Sequence, residues 1–352
     1  MWGPSRTVSV AVLGASGTAG GEVVRLLVSH PAVRVVFLGA EGSAGRTLGE
    51  IHPHLAATPL GSQLLRPLDE TRGIGAEIAI LALAHGASAR CAPQLLEAGA
   101  RVIDLGGDFR LGPDAYPEWY GFEHPSPEWL DRSIYGLPEL FRESISGAEL
   151  VANPGCFPTA VVLGLAPLVA EGRIQASPIV VDGKTGISGA GRSPTEATSF
   201  AATEESVRPY RVPRHQHTPE MERALALWTG AAPAVSFVPH LVPSVRGVLT
   251  TSYAPLAPGE TTESLTECLS RAYEASPFVR VLPPGGMVDT KRTRGSNAVE
   301  LQAVADQRTG TAVVAGALDN LGKGAAGQAV QNLNLMCGLP EELGLATTGV
   351  YP

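Results

Sequence analysis

Basic residues are in deficit. The chain has 26 Lys and Arg against 34 Asp and Glu, a formal charge of −8 over 352 residues. It therefore lacks the basic stripe expected of a nucleic-acid binder, although a local cationic pocket for an anionic small molecule is compatible with that balance. Cysteine is scarce: Cys91, Cys156, Cys268 and Cys337 form no CxxC pair and show no metal-ligand spacing. That argues against a metal site, suits a reducing compartment, and leaves any one of the four to act as a nucleophile. No apolar run approaches the ~18 residues of a membrane span. The amino terminus, with one early arginine, Arg6, has neither a long apolar stretch nor an A-x-A site. The expectation is a cytoplasmic protein with no membrane and no nucleic-acid partner. Glycine (41) and proline (29) are abundant, yet together stay below the roughly 25–30% that signals low complexity. With 44% hydrophobic residues the chain can bury a sizeable core, and its length suits two domains of ~150 residues each. It contains no internal repeat.

What is present is ordered along the chain. Residues 8–13 are β-branched and apolar, as a buried parallel strand requires. A glycine-rich turn, a helix over 22–28 and a second strand over 33–38 follow, a βαβ unit. Strands over 78–83, 101–105 and 149–153 alternate with a helix over 88–98, so a doubly wound parallel sheet is predicted for residues 1–155. Beyond a helix over 157–170 the strands crowd together, at 179–182, 235–238 and 248–253. Residues 297–306 and 311–318 flank Gln307-Arg308-Thr309-Gly310, a hairpin signal. This second part reads as α+β. A last helix spans 324–336.

Five motifs carry chemistry. Gly14, Gly17 and Gly20 punctuate the first turn, with Ser16, Thr18 and Ala19 between them. A dinucleotide pyrophosphate needs close backbone approach and a helix start; the alternative is a tight turn that binds nothing. After the second strand, Glu41 suits a ribose 2′-hydroxyl, whereas Ser43 and Arg46 suit a 2′-phosphate, so NAD and NADP both stay open here. In Asn153-Pro154-Gly155-Cys156-Phe157-Pro158-Thr159 a strand ends and Cys156 opens a helix, whose positive end favours the thiolate. In His215-Gln216-His217-Thr218-Pro219-Glu220 either histidine can exchange protons near neutral pH. Arg110, in Asp108-Phe109-Arg110, and Ser188, Gly189 and Arg192, in Ser188-Gly189-Ala190-Gly191-Arg192, are suited to a phosphate or a carboxylate. Asn320, between a strand and the last helix, has an amide that can pair with a carboxamide.

Together these motifs resemble the N-acetyl-γ-glutamyl-phosphate reductases of arginine biosynthesis, within the aspartate-semialdehyde-dehydrogenase-like group. The resemblance runs from Val10 to the carboxyl terminus and includes Asp319-Asn320-Leu321 and Asn332-Leu333-Asn334-Leu335-Met336. It implies an NADP-binding Rossmann domain over 1–155, a catalytic and oligomerisation domain over 156–323, and a terminal segment, 324–352, packing back on the Rossmann domain. It implies NADP(H) as cofactor, Cys156 as nucleophile and His215 as acid/base. It implies an acyl phosphate substrate held with Asn153, Arg110 and the 188–192 loop, and a homodimer or homotetramer. Two departures stand out: Gly106-Gly107 where the family often has Ser-Ala, and Gln216 where His-Arg-His is commoner. Three rival readings share these residues. They are a reductase for carrier-bound amino-adipate phosphate in lysine biosynthesis, an aspartate-semialdehyde dehydrogenase, and a non-catalytic NADPH-binding sensor. The Cys-Phe-Pro-Thr run favours the arginine enzyme over the first two, and a sensor has no need of Cys156, His215 and Arg110.

Overall fold

The computed structural model describes residues 7–71, 73–193 and 195–351, so Arg6 lies outside the described residues. Its first strand, β1 (Val8–Leu13), is buried throughout. Side chains alternate across a strand: Val8, Val10 and Val12 enter one core cluster, Ala11 and Leu13 another. With β2 (Val33–Gly39), β3 (Ile78–Leu81), β4 (Arg101–Asp104), β5 (Ser133–Tyr135) and β6 (Leu150–Ala152) it builds a six-stranded sheet in the order β2-β1-β3-β4-β6-β5. Every pair in it is parallel. The strand order reverses between β1 and β3, the switch point where open α/β sheets receive ligands.

Helix α1 (Thr18–Val28) begins four residues before the start its apolar pattern suggests. Gly20 and Gly21 weaken a helix by propensity, but packing overrides this. A Cβ on Gly20 would lie 2.1 Å from Gly14 O, and one on Gly21 2.4 Å from the His52 ring. Helices α2 (Ala87–Glu97) and α3 (Pro138–Gly147) follow in this unit. The final helix, Gly327–Met336, packs against α1, α3 and β4 and brings Ala329, Val330 and Leu333 into the core that holds Val23, Val24 and Leu27. Two of its buried amides are anchored through their nitrogens: Gln328 and Asn332 both donate to Gly136 O, at 3.0 and 2.9 Å.

By contact the chain forms two compact units. One runs through Pro154 and includes Ala325–Leu345; the other comprises Gly155–Gly324 with the tail from Ala346. The terminal segment expected to pack as one piece is thus divided at Leu345.

The second unit is a seven-stranded mixed sheet of β7 (Ile179–Thr185), β8 (Arg208–Pro209), β9 (Val235–Leu241), β10 (Val248–Pro255), β11 (Val279–Val281), β12 (Val299–Asp306) and β13 (Thr311–Leu318), ordered β11-β12-β13-β10-β7-β9-β8. The expected hairpin is β12–β13, closing at Asp306 opposite Thr311. Helix α4 (Cys156–Ala170) is buried from Phe157 to Leu168, as an all-round apolar helix must be. It lies on β10, β12 and β13 and between α5 (His217–Thr229) and α6 (Thr262–Ala272). No helix among the described residues is long and apolar enough to cross a membrane.

Candidate active site

The first constellation lies at the switch point. β1 delivers the chain to Gly14, whose φ is +85° and whose Cβ would meet Ala82 O at 2.2 Å. Gly14 and Ala15 both donate their amides to Gly39 O at 2.9 Å, tying the turn to β2. Gly17 is the N-cap of α1, and no side chain caps it. A helix start of this kind receives anions through its amides and dipole. Gly14 and Gly20 are bare because the protein crowds them. Gly17 differs: a Cβ there would meet nothing closer than Gly14 O at 3.4 Å, so its bareness keeps an approach to the backbone open from outside. Just beyond β2, Ser43 is half-buried and Arg46 exposed, and the Arg46 amide donates to Ser43 O at 3.3 Å, placing both on one turn. The residues present fit a phosphate-bearing dinucleotide.

The second constellation centres on Cys156, the first residue of α4. Gly155, its extended N-cap, donates its amide to Glu220 Oε1 at 2.7 Å. Glu220 is fully buried in the first turn of α5, so one carboxylate fixes the start of the cysteine helix to the histidine helix. The His217 ring lies on Gly155 so closely that a Cβ there would be 2.4 Å from its Nε2. His215 is buried, and its Nδ1 accepts the His217 amide at 3.1 Å. A nitrogen that accepts carries no proton, so neutral His215 bears its hydrogen on Nε2. An edge-on ring cluster surrounds it, with centroids 4.7 Å to His217, 5.3 Å to Phe237 and 5.5 Å to Tyr210. Burial, and after it the charge of Cys156, hold the Tyr210 phenol above the usual tyrosine range. Tyr210 therefore stays protonated within reach of the Cys156 charge. From the other side Gly324 approaches so closely that its Cβ would stand 2.7 Å from Cys156 Cβ. Gly324 belongs to a π-helical turn, Gly322–Ala326, whose start is tied to Asp319 Oδ1 by the amides of Leu321 and Gly322 at 2.8 and 3.1 Å.

Known proteins share this plan. A model described as the NAD binding domain of semialdehyde dehydrogenases matches residues 9–148, and one described as their dimerisation domain matches 156–320. Curated relatives named N-acetyl-gamma-glutamyl-phosphate reductase are 44% identical over 349 residues in Magnetococcus marinus (99% of each chain) and 46% over 348 residues in Desulforudis audaxviator (98% of this chain, 100% of that). The chain belongs to the N-acetyl-gamma-glutamyl-phosphate reductase family. Among solved structures, aspartate semialdehyde dehydrogenase II from Vibrio cholerae has a TM-score of 0.73 at 18% identity, covering 95% of this chain and 99% of that one. The Candida albicans aspartate semialdehyde dehydrogenase with NADP scores 0.66 at 19% identity, covering 94% and 98%. At these identities the likeness establishes the fold.

Against that family, the remaining expected residues fall into two groups. Ser188 and Asn320 come together in the second unit: Asn320 Nδ2 donates to Ser188 Oγ at 2.9 Å, and Asn320 Oδ1 accepts the Gly247 amide at 2.8 Å. Asn320, the residue expected to pair with a cofactor carboxamide, joins three loops of its own unit through these bonds. Gly189 and Arg192 are exposed on the Ser188 loop. In the first unit Asn153 is fully buried; its Oδ1 accepts from Asn332 at 3.0 Å and its Nδ2 donates to Ala325 O at 3.2 Å. Arg110, 5% exposed, donates Nε to Asn153 O and Nη2 to Leu105 O, at 2.8 and 2.9 Å. These bonds brace the end of β6 with the two residues expected to hold substrate. The Arg110 charge also sits near two buried carboxylates. Burial first, and then Asp108, push Asp104 up to about 6. Asp108 accepts the Gly86 and Ala89 amides, each at 2.9 Å, at the start of α2. Glu220, Tyr210 and Gly324 gather at Cys156 without having been singled out for roles. Glu220 left a trace three residues after His217 in the same motif, and Gly324 as a glycine between the last strand and the last helix.

Proposed function

We propose that the chain reduces N-acetyl-L-glutamyl 5-phosphate to N-acetyl-L-glutamate 5-semialdehyde with NADPH, releasing inorganic phosphate, in arginine biosynthesis. The observation that carries this reading is Cys156 at an uncapped helix start, with the Tyr210 phenol and the ring cluster of His215 gathered around it, in a member of this family. Cys156 thiolate attacks the acyl carbon; the carbon–oxygen bond to phosphate breaks and a thioester forms. Bound at the Gly14–Gly20 turn, NADPH supplies the hydride that takes the thioester to the aldehyde level. Amides at the start of α4 face the oxygen that gathers negative charge. His215 meets the same oxygen with its Nε2 hydrogen, since its Nδ1 is engaged by the His217 amide. When the carbon–sulfur bond breaks, the aldehyde leaves and Cys156 returns as thiolate, stabilised by the positive end of α4. The exposed Arg192, on the Ser188 loop, takes an anionic end of the substrate.

Ser43 and Arg46 support NADP(H) over NAD, because a hydroxyl and a guanidinium on one turn suit a 2′-phosphate. Free thiols and NADPH as reductant support a cytoplasmic reaction. The chain works as a homodimer or homotetramer. The cross-strand pair Val180–Tyr253 supports this, with the two apolar side chains 45% and 40% exposed on the mixed sheet. The test is phosphate-dependent reduction of NADP⁺ by N-acetylglutamate 5-semialdehyde, with Cys156→Ser as control. Activity that vanishes in the control is expected. A folded, NADPH-binding protein without activity would point to a carrier-bound amino-adipate substrate or to a sensor. Activity persisting in Cys156→Ser would rule out the thioester route.

A further inference from the structure

We infer that His52 is a positioning residue for the cofactor, setting the direction in which the glycine-rich turn presents the Ser16 amide; the inference rests on the reading of that turn as the dinucleotide site. His52 is remote in sequence, yet buried, and its Nε2 lies 2.9 Å from Ala15 O, 37 positions away. A carbonyl only accepts, so His52 donates from Nε2. A trans peptide unit points its C=O and its N–H in opposite directions. Anchoring the Ala15 carbonyl on His52 therefore turns the Ser16 N–H, in the same peptide plane, away from His52. The neighbouring peptide is fixed separately: Ala15 N donates to Gly39 O, and Gly14 O accepts from Gly17 N at 3.0 Å. Removing the His52 donor takes away this anchor of the Ala15 carbonyl, and rotation of that peptide exchanges a donor for a carbonyl oxygen at a turn suited to phosphate. An oxygen lone pair in that position repels an anion.

Two further observations show that the strut is built in. First, its base is rigid. The Leu48–Ile51 turn before it carries a reciprocal cap between Thr47 and Glu50; the His52 amide donates to Leu48 O at 2.7 Å, and Pro53 follows. Second, α1 is shaped to receive the imidazole. Gly21 lies outside the Gly14-Gly17-Gly20 spacing, and a Cβ on it would stand 2.4–2.9 Å from three ring atoms of His52. Gly21 is bare because the ring occupies that space.

The experiment titrates the apoprotein with NADPH, following nucleotide fluorescence, in the wild type and in the His52→Leu, His52→Gln and Gly21→Ala variants. Leucine fills the space without donating; glutamine restores an amide donor; alanine at 21 pushes the ring off Ala15 while leaving His52 in the chain. We expect binding about tenfold weaker in His52→Leu and Gly21→Ala, a factor typical of one lost hydrogen bond, and recovery to within about threefold in His52→Gln. In turnover assays KM for NADP⁺ rises by the same factor while kcat at saturation holds. NADPH binding by His52→Leu at wild-type strength overturns the inference, as does a glutamine variant as weak as the leucine one. Should His52→Leu fail to fold, wild-type affinity in Gly21→Ala overturns it equally. A wild type that binds no NADPH overturns the cofactor reading itself, which separates the two failures.

Discussion

Gly324→Ala tests whether the π-helical turn is part of the cysteine's setting. Gly324 does not have a positive φ, so alanine brings no backbone strain and acts only through its methyl group. That methyl would sit 2.7 Å from Cys156 Cβ, with Leu318 Cδ1 at 3.1 Å and Asp319 O at 3.2 Å behind it. Carbon atoms rest about 3.5–4.0 Å apart, so roughly 1 Å of relief is needed, and the backbone of Asp319 obstructs retreat. Overpacking of this kind costs about 1–3 kcal/mol of stability. A nucleophile moved by ~1 Å loses on the order of 10²-fold in rate. The assay compares kcat for NADP⁺ reduction in wild type and variant, with NADPH affinity and denaturant midpoint measured alongside. The expected outcome is a kcat loss near 10²-fold, a small loss of stability and unchanged NADPH affinity, since Gly324 lies in the unit without the glycine-rich turn. A variant whose kcat stays within a factor of three would refute the claim that the turn sets the position of Cys156.

Thiol labelling near neutral pH should mark Cys156 well before Cys91 or Cys268, because burial pushes those two up to about 12 and about 11; mass spectrometry after brief alkylation reads this, and equal labelling of the three would contradict it. Glu220→Leu leaves the buried Gly155 amide without its carboxylate acceptor. We expect a loss of about 1–3 kcal/mol in denaturant unfolding together with a fall in kcat; unchanged values of both would show that the clamp carries nothing. Asp104 has a model-peptide value of 3.8 and is raised to about 6 in the fold. Between about pH 4 and 6 the folded state therefore holds more protons than the unfolded one, and this group's contribution to stability falls as pH rises through that window. Asp104→Asn should flatten the dependence of Tm on pH there, and parallel curves for wild type and variant would count against it.

The legible parts of the molecule were the local ones. β1, the glycine-rich turn and the strand-to-helix corner at Cys156 each announce themselves within a dozen residues, because a buried parallel strand and a helix start both impose short-range patterns. The start of α1 was missed because helix propensity at Gly20 and Gly21 says the opposite of what the packing against Gly14 and His52 requires. The clamp from Glu220 to Gly155 spans 65 positions and the strut from His52 to Ala15 spans 37; no periodicity encodes either, since only the fold brings the partners together. For Asn153, Arg110 and Asn320 the residue types suited to ligands were visible, but the partners each has within its own unit, such as Asn332, Leu105 O and Ser188, were not.

The final helix also bears on the order in which the protein can be made. Every strand of the parallel sheet has left the ribosome by Ala152, yet Ala329, Val330 and Leu333, which fill one of its cores, and Gln328 and Asn332, which satisfy Gly136 O, are translated nearly two hundred residues later. The nucleotide-binding half is therefore begun first, yet it waits for its closing helix until every strand of the other half has been made. During that interval its strands carry an uncovered apolar face, the kind of surface that chaperones hold and that aggregation exploits. The mixed-sheet unit, contiguous from Gly155 to Gly324 but for its short tail, has no such wait.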